Sequence, residues 1–380
     1  MERYAQLSPI IFGSGSIRVV GEEVKNLGCT KVMLVSDETI SKLDAYKNCK
    51  KSLIDQGMEI VPFNKVVADP PDYMINQGGE LAKAEKIDGI VALGGGSVMD
   101  AAKAINVLVN NPLPVNQYLG NPVYNPGVPV VVIPTTAGTG SEVTIMGVIT
   151  DTVNHIKSAV LCPATLGVLD PEVTIDVPPS VTAYTGMDAF AHAAEAITTK
   201  FPNPKSEVLA LEAIKKVSSY LPIAVSDGKN IKAREELLLA SNFAGMAFND
   251  ALVHLGHAIS HTAGAAFHKA HGIVCALALP EVMKYSASAR ADKVQLIGAA
   301  MGVSFAGDES SEEIGEKVAE AIRQLIKKIG IPSVNELGLS KEEFTGLASK
   351  VMEDVCYQYV PRELSLEEVT GILEAIYENY

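Results

Sequence analysis

Six of the seven histidines in this 380-residue chain fall between positions 192 and 271. Asp188 and His192 are four residues apart, a spacing that sets both on one helix face about a turn from each other. His254, His257 and His261 repeat at intervals of three and four, which is another single face, and His268 and His271 come after them. One carboxylate with several neutral imidazoles makes an O/N donor set for a divalent first-row metal. A lone histidine is more often a hydrogen-bonded helix residue, so the clustering carries the argument. The five cysteines (29, 49, 162, 275 and 356) are scattered, odd in number and never form C-x-x-C. That pattern argues for reduced thiols in a cytoplasm and against a disulfide frame or a thiolate zinc site. A catalytic Fe(II) or Zn(II) with an open coordination position is the natural reading. Spacing alone leaves open which histidines bind metal and which line the pocket.

Two glycine-rich segments could hold phosphate. Gly94-Gly95-Gly96 lies between a strand ending at Leu93 and a helix opening at Ser97. Glycines let a ligand approach the backbone, and the helix start offers N–H groups and a positive dipole end. The segment is neither G-x-G-x-x-G, since Met99 takes the last position, nor a Walker A loop, and a tight turn without a ligand is the bland alternative. The second segment, Pro134-Thr135-Thr136-Ala137-Gly138-Thr139-Gly140-Ser141-Glu142, also comes after a strand and mixes hydroxyls with glycines. Two donor-rich loops at the carboxyl ends of strands fit a dinucleotide lying across an open sheet. Asp37, just past strand 31–35, is placed to bind ribose hydroxyls and to repel a 2′-phosphate, which favours NAD over NADP; a turn or N-cap role is the equal alternative. Gly13-Ser14-Gly15-Ser16 begins like a dinucleotide motif but lacks its third glycine and reads as a turn.

The elements that must position these residues come in two kinds. Apolar β-branched runs at 31–35, 89–93 and 128–133 alternate with helical stretches at 72–86 and 97–109, the pattern of an α/β domain with a mostly parallel sheet. Continuous apolar strands imply that both sheet faces are covered. Near residue 178 the pattern changes. Asp176-Val177-Pro178-Pro179-Ser180 ends the last extended segment, with Ser180 the expected N-cap of the next helix. Helical patterns then run over 181–199, 206–220, 231–248, 250–266, 310–329, 340–355 and 365–378. Two domains result: 1–178, α/β and dinucleotide-binding, and 179–380, all-helical and metal-binding. Thirty-one basic against forty-five acidic residues leave −14, no overall field for nucleic acid or an anionic membrane. A hydrophobic share of 47% with 20% charged residues excludes large-scale disorder. No apolar run of membrane-spanning length occurs, and Met1-Glu2-Arg3-Tyr4 does not start a secretory signal, so a cytoplasmic location is expected.

Taken together, the segments resemble the iron-activated, group III metal-dependent alcohol dehydrogenases over nearly the full chain. The resemblance rests on Gly94-Gly95-Gly96-Ser97…Asp100, on Pro134 to Glu142, on Gly186-Met187-Asp188-Ala189-Phe190-Ala191-His192, and on His257-Ala258-Ile259-Ser260-His261 running on to His271-Gly272. It implies Asp188, His192, His257 and His271 as metal ligands, with His261 a pocket histidine on the proton path. It implies a cofactor site made of Asp37, Gly95, Gly96, Ser97, Asp100, Thr135, Thr136, Thr139 and Ser141, with Asp69 beside the adenosine and Lys157 orienting the nicotinamide end. The implied fold is a Rossmann-like α/β N-terminal domain plus an all-α C-terminal domain, the dehydroquinate synthase-like architecture, with NAD(H) and metal in the cleft between them. The implied assembly is a homodimer. The implied activity is NAD(H)-linked interconversion of a primary alcohol and an aldehyde, run as an aldehyde reductase, with hydride transfer at a carbonyl polarised by Fe(II); Zn(II) accepts the same donors. A zinc polyol dehydrogenase or a lyase of the same fold is the nearest rival, and both usually carry three metal ligands rather than four. A nucleotide-binding protein without turnover would not need the histidine cluster.

The chain departs from the family pattern just before the third ligand, where Phe248-Asn249-Asp250-Ala251-Leu252-Val253-His254 replaces the glycine-rich run of many members. Met146 stands where a diol-acting relative has a polar residue. A short neutral aldehyde or diol is the default substrate. An anionic aldehyde, such as sulfoacetaldehyde or a semialdehyde, becomes the alternative if His254, His268 or Lys269 faces the pocket.

Overall fold

The computed structural model describes residues 6–154 and 156–380. Met1 to Tyr4, where a secretory signal would begin, lie outside the described residues. Two units divide between Asp176 and Val177, and each is described by itself.

In the first unit the apolar runs form strands β1 (Ile10–Phe12), β2 (Lys31–Asp37), β3 (Glu59–Val66), β4 (Gly89–Gly94), β5 (Val130–Pro134) and β8 (Leu166–Leu169). They make one sheet in the order β1-β8-β5-β4-β2-β3, parallel at every pairing. Helices α1 (Val20–Asn26), α2 (Asp44–Asp55), α3 (Asp72–Glu85) and α4 (Gly96–Val109) connect them. Alternate strand residues face opposite cores. Val32, Leu34, Val91, Leu93, Val131 and Ile133 enter one; Met33, Val35, Ile90, Ala92, Val130 and Val132 enter the other. Burial on both faces is why these strands read as unbroken apolar runs. The chain leaves β2 for β3 on one side and returns to β4 on the other, so the strand order reverses between β2 and β4. Ligands of open α/β sheets bind outside the carboxyl ends at such a point. A separate antiparallel hairpin, β6 (Met146–Asp151) with β7 (Ile156–Leu161), has no counterpart among the strands read from the sequence.

The second unit is helical among its described residues: α5 (Pro179–Thr198), α6 (Pro204–Ser226), α7 (Ile231–Ala251), α8 (Leu255–Phe267), α9 (His271–Ala300), α10 (Ser311–Lys328), α11 (Lys341–Thr345), α12 (Ala348–Glu353) and α13 (Leu366–Glu378). Three expectations need correcting. Ser180 is not the N-cap of α5; Pro178 holds that position and Pro179 is the first helical residue, where a missing N–H costs nothing. The stretch read as one helix over 340–355 is two short helices with a 3₁₀ turn at Val355–Tyr359. The 30-residue α9 has no counterpart in the sequence reading, because its first half is apolar on all sides and carries Pro280, and Arg290 leaves helical geometry at φ −144°. Among the described residues no helix is long and apolar enough to cross a membrane.

Candidate metal centre and dinucleotide loops

In the first unit, adjacent strands bring the glycine loops together. β4 and β5 pair through Leu93 with Ile133 and Gly94 with Pro134, and Thr135 N–H donates to the Gly94 carbonyl at 3.0 Å. Gly95 caps α4 without any side-chain hydrogen bond to the helix start. A Cβ at Gly96 would stand 2.5 Å from Thr139 Cγ2, so only glycine allows the two loops this approach. Ser141 Oγ donates to Asp100 Oδ1 at 2.6 Å and ties the second loop to α4. Gly95, Gly96, Ser97, Asp100, Thr135, Thr136, Thr139 and Ser141 thus gather at neighbouring strand ends. Asp37 closes the adjoining β2, where its Oδ1 accepts the Ile40 N–H at 2.7 Å. Gly13–Ser16 is a turn: the Gly15 and Ile17 N–H groups donate to the Asp170 carboxylate.

Lys103 organises the second loop, and spacing rules had no means of finding it. Its ammonium is fully buried and donates to the carbonyls of Thr144 at 3.0 Å and Met146 at 2.8 Å, and to Ser141. Burial pushes its pKa down, against Asp100. Burial likewise raises the Asp100 carboxyl to about 6, although Lys103 and Ser141 oppose the shift.

Lys157 on β7 donates to Asp69 Oδ1 at 2.7 Å, and Asp69 sits at φ +51°. The resemblance gave these two residues opposite ends of the dinucleotide. The ion pair joins the hairpin strand that carries Lys157 to the turn before α3 that carries Asp69.

In the second unit three helices converge on one carboxylate. Asp188 and His192 come from α5, His257 and His261 from α8, and His271 opens α9. Gly272 permits this start: a Cβ there would lie 2.2 Å from the Tyr184 carbonyl oxygen on α5. Asp188 Oδ1 is 3.4 Å from His271 Nε2, 3.9 Å from His257 Nε2 and 3.9 Å from His192 Nδ1. The rings of His192 and His257 have centroids 4.5 Å apart, and Phe248 stacks on His192 at 4.2 Å.

The far sides of these rings fix their tautomers. His257 Nδ1 is 2.6 Å from Glu195 Oε2. A carboxylate only accepts, so the proton is on Nδ1, and Nε2 turns a lone pair toward Asp188. That Nε2 is buried and has no hydrogen-bond partner. Ser260 Oγ donates to the His271 carbonyl, so it accepts from His271 Nδ1 at 2.8 Å and leaves the lone pair of that ring on Nε2 as well. His261 Nδ1 lies 3.1 Å from Asp354 Oδ2, which sets the same tautomer. Burial works against a positive charge on His257, but Glu195 and Asp188 outweigh it and raise its pKa. The site therefore attracts positive charge to Nε2.

Glu195 has no exposed surface and accepts N–H groups of His254, Gly256 and His257 besides the ring. Burial alone would raise its carboxyl, but His254, His257 and these donors hold it at about 2. It lies three residues after His192, an acid inside an alanine-rich helix, which was its one sequence signal. Asp354 gave none, being 93 positions from His261.

His254, read as exposed or pocket-facing, is neither: it is fully buried, with Nε2 2.8 Å from Thr198 Oγ1. Burial lowers its pKa, although Glu195 opposes this. The chain bends into it through Leu252 at φ +68°, a strained value for leucine. His268 is exposed at the end of α8, and Lys269 Nζ donates to the Leu337 carbonyl at 2.8 Å. Cys275, one turn after His271, contributes to a group in which its Sγ, Asp188, His257 and His271 all offer donor atoms within 4.8 Å of one another. His192 reaches the same carboxylate, its Nδ1 3.9 Å from Asp188 Oδ1. Burial and then Asp188 push the Cys275 thiol well above its ordinary range.

Residues 8–171 match the family model for iron-containing alcohol dehydrogenase, and residues 182–377 match that for the C-terminal part of the Fe-containing alcohol dehydrogenase family. The NAD-dependent methanol dehydrogenase of Bacillus methanolicus is 35% identical over 96% of this chain and 97% of its own. A crystal structure of 1,3-propanediol oxidoreductase superposes with a TM-score of 0.95 at 34% identity, covering 99% of this chain and 100% of that one. Sulfoacetaldehyde reductase from Bifidobacterium kashiwanohense, solved with NAD⁺, gives 0.88 at 27% identity with 100% of both chains covered.

Proposed function

The chain belongs to the iron-containing alcohol dehydrogenase family, and on that premise we propose that it reduces a short aldehyde without negative charge, using NADH and a divalent ion held by Asp188, His192, His257 and His271. Its class is that of a metal-dependent, NAD(H)-linked oxidoreductase of alcohols and aldehydes. The observation that carries the site is the buried Nε2 of His257, which has no hydrogen-bond partner and faces the Asp188 carboxylate. A divalent ion there supplies Lewis-acid polarisation of the substrate oxygen, while the hydride is the cofactor's.

The protein's own residues do the rest. Glu195 and Ser260 hold His257 and His271 in the tautomers that present Nε2. His261, oriented by Asp354, carries the proton to the oxygen of the nascent alcohol as hydride reaches its carbon. At the strand ends, the Gly95–Ser97 and Thr135–Ser141 loops bind the pyrophosphate, and Asp37 binds the adenosine ribose.

Substrate charge depends on where the cations are. Thr198 holds His254, His268 is exposed, and Leu337 holds the Lys269 ammonium. Of the three, His254 is buried and bonded to Thr198, and the Lys269 ammonium is turned toward the Leu337 carbonyl, which supports the neutral substrate. NADH oxidation by Fe(II)-loaded protein over a panel of neutral and anionic aldehydes tests this; a higher kcat/KM for the anionic members would overturn it. We infer in addition a cytoplasmic homodimer: all five cysteines are free thiols, and the dimer rests on the family resemblance. Sedimentation equilibrium of the purified chain decides the assembly.

A further inference from the structure

Resting on the metal centre proposed above, we propose that Thr198 and His254 are positioning residues for it: Thr198 fixes the tautomer of His254, and that tautomer reserves the side-chain pairing of Glu195 for the His257 ring. His254 lies in the stretch where this chain departs from the family pattern.

Glu195 sits between two imidazoles and meets them differently. Its Oε2 is 2.6 Å from His257 Nδ1, and its Oε1 is 3.5 Å from His254 Nδ1. The first nitrogen carries a proton. The second is buried and makes no hydrogen bond. The reason lies on the opposite side of the His254 ring. Thr198, the last residue of α5, donates its one hydroxyl proton to the Ala194 carbonyl at 2.9 Å. Toward His254 Nε2, 2.8 Å away, the same oxygen can only accept, so the ring brings the proton there. A neutral imidazole has one ring proton, and burial keeps this ring neutral. Nδ1 is therefore bare where it faces Glu195.

Two facing lone pairs repel, so the arrangement has to be held from outside. The backbone holds it. The His254 N–H donates to Oε2 at 3.0 Å, the Gly256 N–H donates to Oε1, and Leu252 at φ +68° turns the chain into place. The other tautomer would relieve the repulsion by moving one proton from Nε2 to Nδ1 and donating it to Oε1, with no change in net charge. Glu195 would then share its charge between two rings, and His257 Nε2 would become a weaker donor to an ion. Thr198 opposes that exchange, because its own proton is already committed to the helix.

Metal affinity tests the inference without turnover. The full chain is stripped with chelator and titrated with Co²⁺ alone, followed by visible absorption. Thr198→Val matches the side chain in shape and removes the acceptor, and it should bind roughly tenfold more weakly. His254→Phe has no ring proton to place, so in that background Thr198→Val should change the affinity by no more than about twofold. An equal loss in both backgrounds is what a merely structural Thr198 would give, and it overturns the proposal. An unchanged affinity in Thr198→Val alone overturns it too. Nitrogen NMR of the chain labelled only at histidine reads the tautomer directly. A protonated Nε2 with a bare Nδ1 is expected for the ring whose signals vanish in His254→Phe; the reverse assignment overturns the proposal. Should that variant not fold, the ring whose tautomer Thr198→Val switches identifies His254, and no switch at any ring overturns the proposal. Failure of the unaltered chain to take up Co²⁺ overturns the metal centre and this inference with it, whereas Co²⁺ uptake that ignores Thr198→Val overturns the inference alone.

Discussion

The strand-end loops and the helical centre both gather polar groups, but they are built from different parts of the chain. The loops after β4 and β5 offer backbone N–H groups and small hydroxyls, positioned by strand pairing and by a close approach at Gly96. The centre offers side chains, each turned by a partner from elsewhere: Glu195 behind His257, Ser260 behind His271, Asp354 behind His261. On the proposed function, phosphate recognition is thus a property of chain direction and backbone access. Metal recognition is a property of rotamer and tautomer, and one lost partner can misdirect a ligand that is itself intact.

Mutations should separate the two constructions. His257→Ala removes a ligand and should lower kcat/KM by about a thousandfold or more, about 4 kcal/mol, together with metal content; normal metal content by elemental analysis would place the centre elsewhere. Next comes a pH effect in the loops. Burial holds Asp100 near 6, with Lys103 opposing, so the folded chain keeps a proton that the unfolded chain has lost above its ordinary 3.8. Stability must therefore fall as pH rises through that window, by up to about 3 kcal/mol. Asp100→Asn should remove that fall in urea titrations between about pH 4 and 7, and an unchanged slope counts against the shift. Glu195→Gln keeps the shape but loses the charge and one acceptor oxygen, and metal affinity should drop by about 10–100-fold with the fold retained. An affinity within about twofold of the parent would make the partner behind His257 dispensable. The smallest effect is Asp37→Gly, which should move the NADH-to-NADPH ratio of kcat/KM by about tenfold, roughly 1.4 kcal/mol. A constant ratio would remove Asp37 from the ribose site.

The same division decided what could be read from the sequence. Strands β2, β4 and β5 and their glycine loops are local patterns, and they appear within a residue or two of where the apolar runs put them. Asp188 with His192, and His257 with His261, are i,i+4 pairs on single helices and were legible for that reason. Glu195 and Asp354 were not, because each acts on a histidine of another element far along the chain. The hairpin β6–β7 was missed because three alternate residues of β6, Gly147, Ile149 and Asp151, are buried while Met146, Val148 and Thr150 are only partly covered. A strand so half-wrapped has neither a continuous apolar run nor a clean polar face.

Glu195 does more than orient a ring. Its two oxygens receive the N–H groups of His254, Gly256 and His257, where α8 begins without a cap of its own. A negative charge at that helix start is favourable with or without an ion in place. The carboxylate that turns the His257 ring is thus also what finishes the first turn of the helix that carries it.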